Sequence, residues 1–217
     1  AYDKIQIQDA WDRIISSSVP LSQIVVGIVD SGVDATHQEF NSPTVNLGSI
    51  NRSILGDFQA PLGHGTQVTG IIGANNVSRT NILLANSPQM NGILSGVLNE
   101  NNYTLEIQPY GGPKNVAMST LISVFWALER AINKNSQVIN MSFGAALCPA
   151  LSIFSGRECY KTAQEFNDAF NAYGKTFQQR SNTLFVASAG NNNIDASQSL
   201  PGALSLLNNV ISIGATK

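Results

Sequence analysis

An aspartate after an apolar run, a histidine between glycines and an asparagine after a second apolar run are the residues here best suited to chemistry. The first is Asp30, which follows Ile24 to Val29 and precedes Ser31 and Gly32. Such a run reads as a buried strand, and open α/β sheets bind ligands just outside the carboxyl ends of their strands. Alone the feature is weak, because an aspartate in this position also serves phosphatases, nucleotide binders and plain turns. The second is His64, within Gly63-His64-Gly65-Thr66, opening a segment through Ile72 that reads as helical. The glycines allow a tight entry and a close backbone approach. A histidine there faces the positive end of the helix dipole, which favours the neutral imidazole that a general base needs. A paired aspartate would oppose that shift, fix the tautomer and stabilise the imidazolium when it forms. The third is Asn191, which follows Leu184 to Ala187 and the small residues Ser188, Ala189 and Gly190. Its amide can donate to an oxyanion, and the small residues leave room for a substrate side chain. A Gly-Asn-Asn-Asn sequence by itself is an ordinary turn. What carries weight is the combination.

These residues need a frame, and the pattern of the chain supplies one. Short Val- and Ile-rich runs alternate with segments of helical period, which is the signature of an α/β fold with a central parallel sheet. The strand candidates are Ile24 to Val29, Thr104 to Ile107, Val138 to Met141, Leu184 to Ala187 and Val210 to Ile213. Their near-continuous apolarity suits strands covered on both faces. Between them, Ser119 to Ile132 carries Leu121, Ile122, Phe125, Leu128 and Ile132 at helical spacing, and Ala163 to Phe177 does the same with Phe166, Phe170, Tyr173 and Phe177. Both stripes read as core-facing surfaces. The stretches Asn75 to Asn102 and Ala145 to Tyr160 read as surface excursions.

The 217 residues show no internal repeat and no linker, so a single domain over 1–217 is expected. The composition is 12% charged, about half of what is usual, with a net charge of −2 and no basic block, which argues against nucleic acid as a partner. No apolar run is long enough for a membrane span. Two cysteines, Cys148 and Cys159, are close enough in sequence for a local disulfide, although a pair of free thiols is the alternative. A bridge would imply an oxidising compartment, so the protein is expected to be secreted, periplasmic or at the cell surface.

Four segments taken together, VVGIVDSGVDATHQEF, GHGTQVTG, VINMSFG and FVASAGNNN, resemble the subtilisin (subtilase) family of serine proteases in order and spacing. The likeness runs from Ala10-Trp11 to the closing VISIGATK. It implies the subtilisin-like three-layer fold, a mostly parallel sheet flanked by helices, and peptide-bond hydrolysis by an Asp-His-Ser triad. Carried onto this sequence, it makes Asp30 the orienting carboxylate, His64 the general base and then acid, and Asn191 the oxyanion donor. Ser142, Phe143 and Gly144 match the strand that pairs with extended substrate and one wall of the specificity pocket, with Ser188, Ala189 and Gly190 as the other wall. Gly111 and Gly112 match the opposing substrate edge more loosely, and Pro201 stands where the family often has a cis proline.

There are departures. Gln67 replaces a second histidine, and the segment between Ala74 and Asn91 is longer and poorer in carboxylates than the family's calcium loop. No metal ligand is therefore assigned; no cofactor is required, and a structural calcium ion has no recognisable loop to support it. The nucleophile's Gly-Thr-Ser-Met-Ala motif is absent. Ser119 in Met118-Ser119-Thr120 lacks the preceding Gly-Thr, comes before Asn191 and begins a core helix. The C-terminal part of the fold is thus expected outside this chain, as a complementary fragment carrying the serine. Other expected partners are a polypeptide substrate and a removable pro-segment. A non-catalytic peptide-binding domain is the alternative. A nucleotide binder is disfavoured, since neither G-x-G-x-x-G nor a P-loop occurs.

Overall fold

The apolar runs that the sequence offers as strands are the strands of one sheet. A computed structural model of the chain describes residues 5–17, 22–40, 63–74, 92–96, 103–109, 121–146 and 159–215. In chain order these form α1 (Ile7–Ser16), β1 (Ile24–Asp30), α2 (His64–Gly73), β2 (Tyr103–Pro109), α3 (Leu121–Asn133), β3 (Val138–Met141), β4 (Ala145–Ala146), α4 (Ala163–Gln178), β5 (Leu184–Ser188), β6 (Ser199–Leu200) and β7 (Val210–Ile213). The main sheet has five parallel strands in the order β2-β1-β3-β5-β7. Val29, Met141, Ala187 and Ser212 share one row, so β1, β3, β5 and β7 end at nearly the same level. A short antiparallel pair, β4 with β6, lies apart from it.

Strand residues alternate between two faces. One face packs Val29, Ile139, Met141, Phe185, Ala187 and Val210 against α3 and α4. Its helices supply Ala127, Leu128 and Phe177, all fully buried. Aromatic rings tie the layers together: Phe125 to Tyr173 at 4.4 Å, Tyr173 to Phe177 at 5.8 Å, and Phe177 stacked on Phe185 at 4.0 Å. The other face packs Val26, Ile28 and Leu105 under α2, through Val68 and Ile72. Farther along this face, on β7, Ile211 and Ile213 are 45% and 54% exposed.

Helix ends are closed by side chains. Thr162 Oγ1 accepts the Glu165 N–H at 3.1 Å, while Glu165 Oε2 accepts the Lys161 N–H at 2.8 Å. This is a variant of the capping box and satisfies two backbone donors at the start of α4. At the far end, Asn209 Nδ2 reaches the carbonyl oxygens of Phe177, Arg180 and Thr183 at 2.9, 3.0 and 3.2 Å. The amide has two hydrogens, so one is shared.

The structure departs from the sequence reading at the margins. α1 has no buried residue and is held by Trp11, whose Nε1 donates to the Ile93 carbonyl at 2.9 Å. Its amphipathic period lies ahead of the apolar strands, outside the two helices that the sequence predicts. The stretch 75–102 is not wholly superficial: Gly92 is buried, and its N–H donates to Ala74 O at 2.6 Å, against the end of α2. Residues 145–160 begin with β4 in place of a loop, because Ala145 and Ala146 pair with Leu200 and Ser199.

Candidate active site

The carboxyl edge of the sheet gathers most of the residues singled out above. Asp30 is the last residue of β1 and is fully buried, while His64 is the first residue of α2 with its side chain half exposed. His64 Nδ1 lies 2.8 Å from Asp30 Oδ1, which also accepts the Ser31 N–H at 2.7 Å. Holding Nδ1 to a carboxylate fixes the tautomer with Nδ1 protonated and leaves Nε2 as the acceptor. A buried carboxylate held against a half-exposed imidazole can act as an orienter and a base.

The local sequence explains the closeness. Gly63 precedes α2 with φ +65°, a left-handed conformation that L side chains rarely adopt, and its carbonyl accepts the Gln67 N–H at 2.9 Å to start the helix. Gly65 lies so near the turn after β1 that an added Cβ would land on the Gly32 carbonyl oxygen and stand 3.1 Å from Asp30 Oδ1. Cross-ties hold the approach: Gly65 N–H to Ser31 Oγ at 3.3 Å and Asp34 N–H to Thr66 Oγ1 at 2.9 Å. Asp34 Oδ1 in turn accepts from Thr36 N–H and Thr36 Oγ1, which keeps the exposed Asp34 carboxyl below its ordinary value.

The two segments expected to be pocket walls also converge on one residue. Ser142, Phe143 and Gly144 leave the sheet after β3, and Ser188, Ala189 and Gly190 leave at the end of β5. A Cβ added at Gly144 would stand 3.1 Å from Ser199 Oγ, and one at Gly190 would stand 3.0 Å from the same atom. Ser199, on β6, is 1% exposed, and its hydroxyl has no hydrogen-bond partner among the described residues. The sequence reading missed Ser199, because only the non-local pairing of β4 with β6 brings it between the walls. The Leu200–Pro201 peptide beside it is cis.

Asn191 is exposed and follows Gly190 directly, three positions past the end of β5. β3 separates its strand from β1, so a distance of two strand spacings, about 10 Å, lies between the ends that carry Asn191 and Asp30. Gly111, Gly112, Ser119 and Cys148 lie outside the described residues. Cys159 is not a free thiol. Its neighbour Tyr160 donates its N–H to Ala146 O at 2.9 Å, and burial pushes the Tyr160 hydroxyl up to about 12.

Among the described residues no cluster of three His, Cys, Asp or Glu side chains could hold a metal ion, and no helix is long and apolar enough to cross a membrane. A concavity of about 350 Å³ at the amino edge of the sheet, between the ends of α3 and α4, shares no residue with the Asp30–His64 pair.

Known proteins agree with this frame. The prenylagaramide maturation protease PagA superposes with a TM-score of 0.58 over 97% of this chain and 58% of its own, at 19% identity, a likeness of fold. Alkaline protease 1 of Aspergillus clavatus is 28% identical over 192 residues, 87% of this chain and 36% of its own length. The nisin leader peptide-processing serine protease NisP of Lactococcus lactis is 26% identical over 192 residues, 81% of this chain and 24% of its own. The chain thus spans about a third or less of the curated relatives it matches. The family model described as the subtilase family (Peptidase_S8) matches residues 22–217, and the chain belongs to that family.

Proposed function

We propose that this chain is the base-bearing part of a serine endopeptidase whose nucleophilic serine lies outside these 217 residues. The observation that carries the reading is the 2.8 Å contact between His64 Nδ1 and the buried Asp30 carboxylate at the carboxyl edge of the sheet. His64 Nε2 takes the serine proton as the serine oxygen attacks the peptide carbonyl, then returns it to the leaving amine. Asp30 holds the ring and stabilises the imidazolium. Asn191, with backbone N–H groups, donates to the oxyanion of the tetrahedral intermediate.

The substrate is an extended polypeptide. It adds as a strand along Ser142 to Gly144, with Gly111 and Gly112 on the opposite side, and places one side chain between Gly144 and Gly190 above Ser199. The serine-bearing segment covers the open part of the second sheet face, where Ile211 and Ile213 are exposed. It is supplied by a cleaved-off second chain or by continuing sequence. The reading needs no cofactor and assigns no calcium. A bridge between Cys148 and Cys159 belongs to this reading and suits a secreted, periplasmic or cell-surface setting; a removable pro-segment is a further partner in it. Residues 1–217 act as one domain.

Treating the complete polypeptide with a fluorophosphonate probe tests the reading. A labelled serine outside residues 1–217, with labelling lost in His64→Ala, is expected. A folded, complete protein that neither labels nor cleaves peptide would sink it in favour of a peptide-binding role.

A further inference from the structure

The middle strand of the sheet carries a polar residue in an otherwise aliphatic row. Ile28, Asn140, Val186 and Ile211 are register partners across β1, β3, β5 and β7. Inner parallel strands favour apolar side chains, and an amide placed there is costly unless hydrogen-bonded. Asn140 Nδ2 donates to Ser142 Oγ at 2.9 Å, and the pair is partly buried. Ser142 follows Met141, which pairs with Val29 and Ala187, so it continues the row of Asp30 and Ser188 at the mouth of the site. The amide therefore reaches up the sheet face to the first residue of the segment that leaves it.

We infer that Asn140 is a positioning residue that sets the peptide-binding edge of the site through Ser142. The inference rests on the proposed reading of Ser142 to Gly144 as that edge. The hydroxyl accepts from the amide, so its own proton is directed away from Asn140, and the χ1 torsion of Ser142 is held where the chain leaves the sheet. Extended peptide pairs with main-chain groups two residues apart on such an edge, and a shift in the first of them displaces all of those pairings together. A leucine at position 140 would suit the aliphatic row but could not hold Ser142. Fold and positioning can thus be separated.

Two measurements on Asn140→Leu decide it. In the complete polypeptide, amide hydrogen exchange at Phe143 and Gly144 is expected to quicken by about tenfold, with β1 and β5 unchanged and thermal unfolding no lower than the parent's. In the complete protease, KM for a peptide spanning several residues rises on the order of tenfold, while kcat and KM for a single-residue ester stay put. Ser142→Ala reproduces the rise, and the double variant adds nothing further. Unchanged exchange at Phe143 and Gly144, or an equal loss on peptide and ester, overturns the inference. A complete parent protein that cleaves nothing would instead defeat the protease reading, and the exchange data would still decide what Asn140 does.

Discussion

The two faces of the central sheet are finished to different degrees, and the site lies where they differ. Under α3 and α4, Leu128, Ile139, Phe177 and Phe185 are wholly buried. On the opposite face α2 covers β1 and β2, whereas among the described residues β7 exposes Ile211 and Ile213. Asp30 and His64 meet at the edge of the covered part. Their geometry is set by β1, the turn after it and the first turn of α2, and owes nothing to the open region. The contact between His64 and Asp30 therefore depends on neighbouring segments of the chain alone.

The sharpest way to break this comparison is to remove the pair. In the complete protease, Asp30→Asn should lower turnover by roughly 10⁴-fold by spoiling the tautomer, and His64→Ala by at least as much. Steady-state kinetics with a peptide substrate measures the loss, and a small loss would mean that the pair is structural. On the stability side, in the 217-residue chain without the serine-bearing segment, Phe177→Ala should cost about 3–5 kcal/mol by opening a cavity, whereas Ile211→Ala, which is exposed there, should cost less than about 1 kcal/mol. Urea denaturation of the two variants gives the contrast directly. Equal costs would show that the faces are equally packed.

A smaller effect tests how the pair is held. Gly65→Ala forces its Cβ onto the Gly32 carbonyl oxygen, so α2 must move away from β1. Overpacking of this kind costs about 1–3 kcal/mol. Thermal unfolding should register the cost, and the imidazole proton shared between His64 and Asp30 should lose its downfield NMR signal. The smallest effect is alkaline. The folded Tyr160 hydroxyl is raised to about 12 from an ordinary value of 10.0 by burial. The folded state thus holds that proton more tightly, and its contribution to stability is complete below about pH 10 and fades as pH rises towards 12. Tyr160→Phe should flatten that part of the stability curve; an unchanged curve would place the loss elsewhere.

How much of this was legible beforehand follows from what each element depends on. β3 and β7 begin and end where their apolar runs do, and α4 runs one residue past its aromatic stripe, because buried strands and amphipathic helices write their period locally. The Asp30–His64 approach was foreshadowed by glycines, whose only use at Gly63 and Gly65 is backbone freedom and closeness. Ser199 was invisible, since its place between Gly144 and Gly190 comes from a two-residue pairing between segments far apart in sequence. α1 was missed for the opposite reason. Its period is clear, but it buries no residue, so nothing in the core required it.

Asn209 has a consequence for motion. Its amide ties the last turn of α4, the bend after it and the entry to β5 from the residue just before β7. Fraying of α4 from its carboxyl end must therefore break bonds in three segments at once. Cooperative opening units often coincide with such linked motifs. The amides at the end of α4 and the start of β5 should then exchange with solvent together, at one common rate, and Asn209→Ala should split that rate in two.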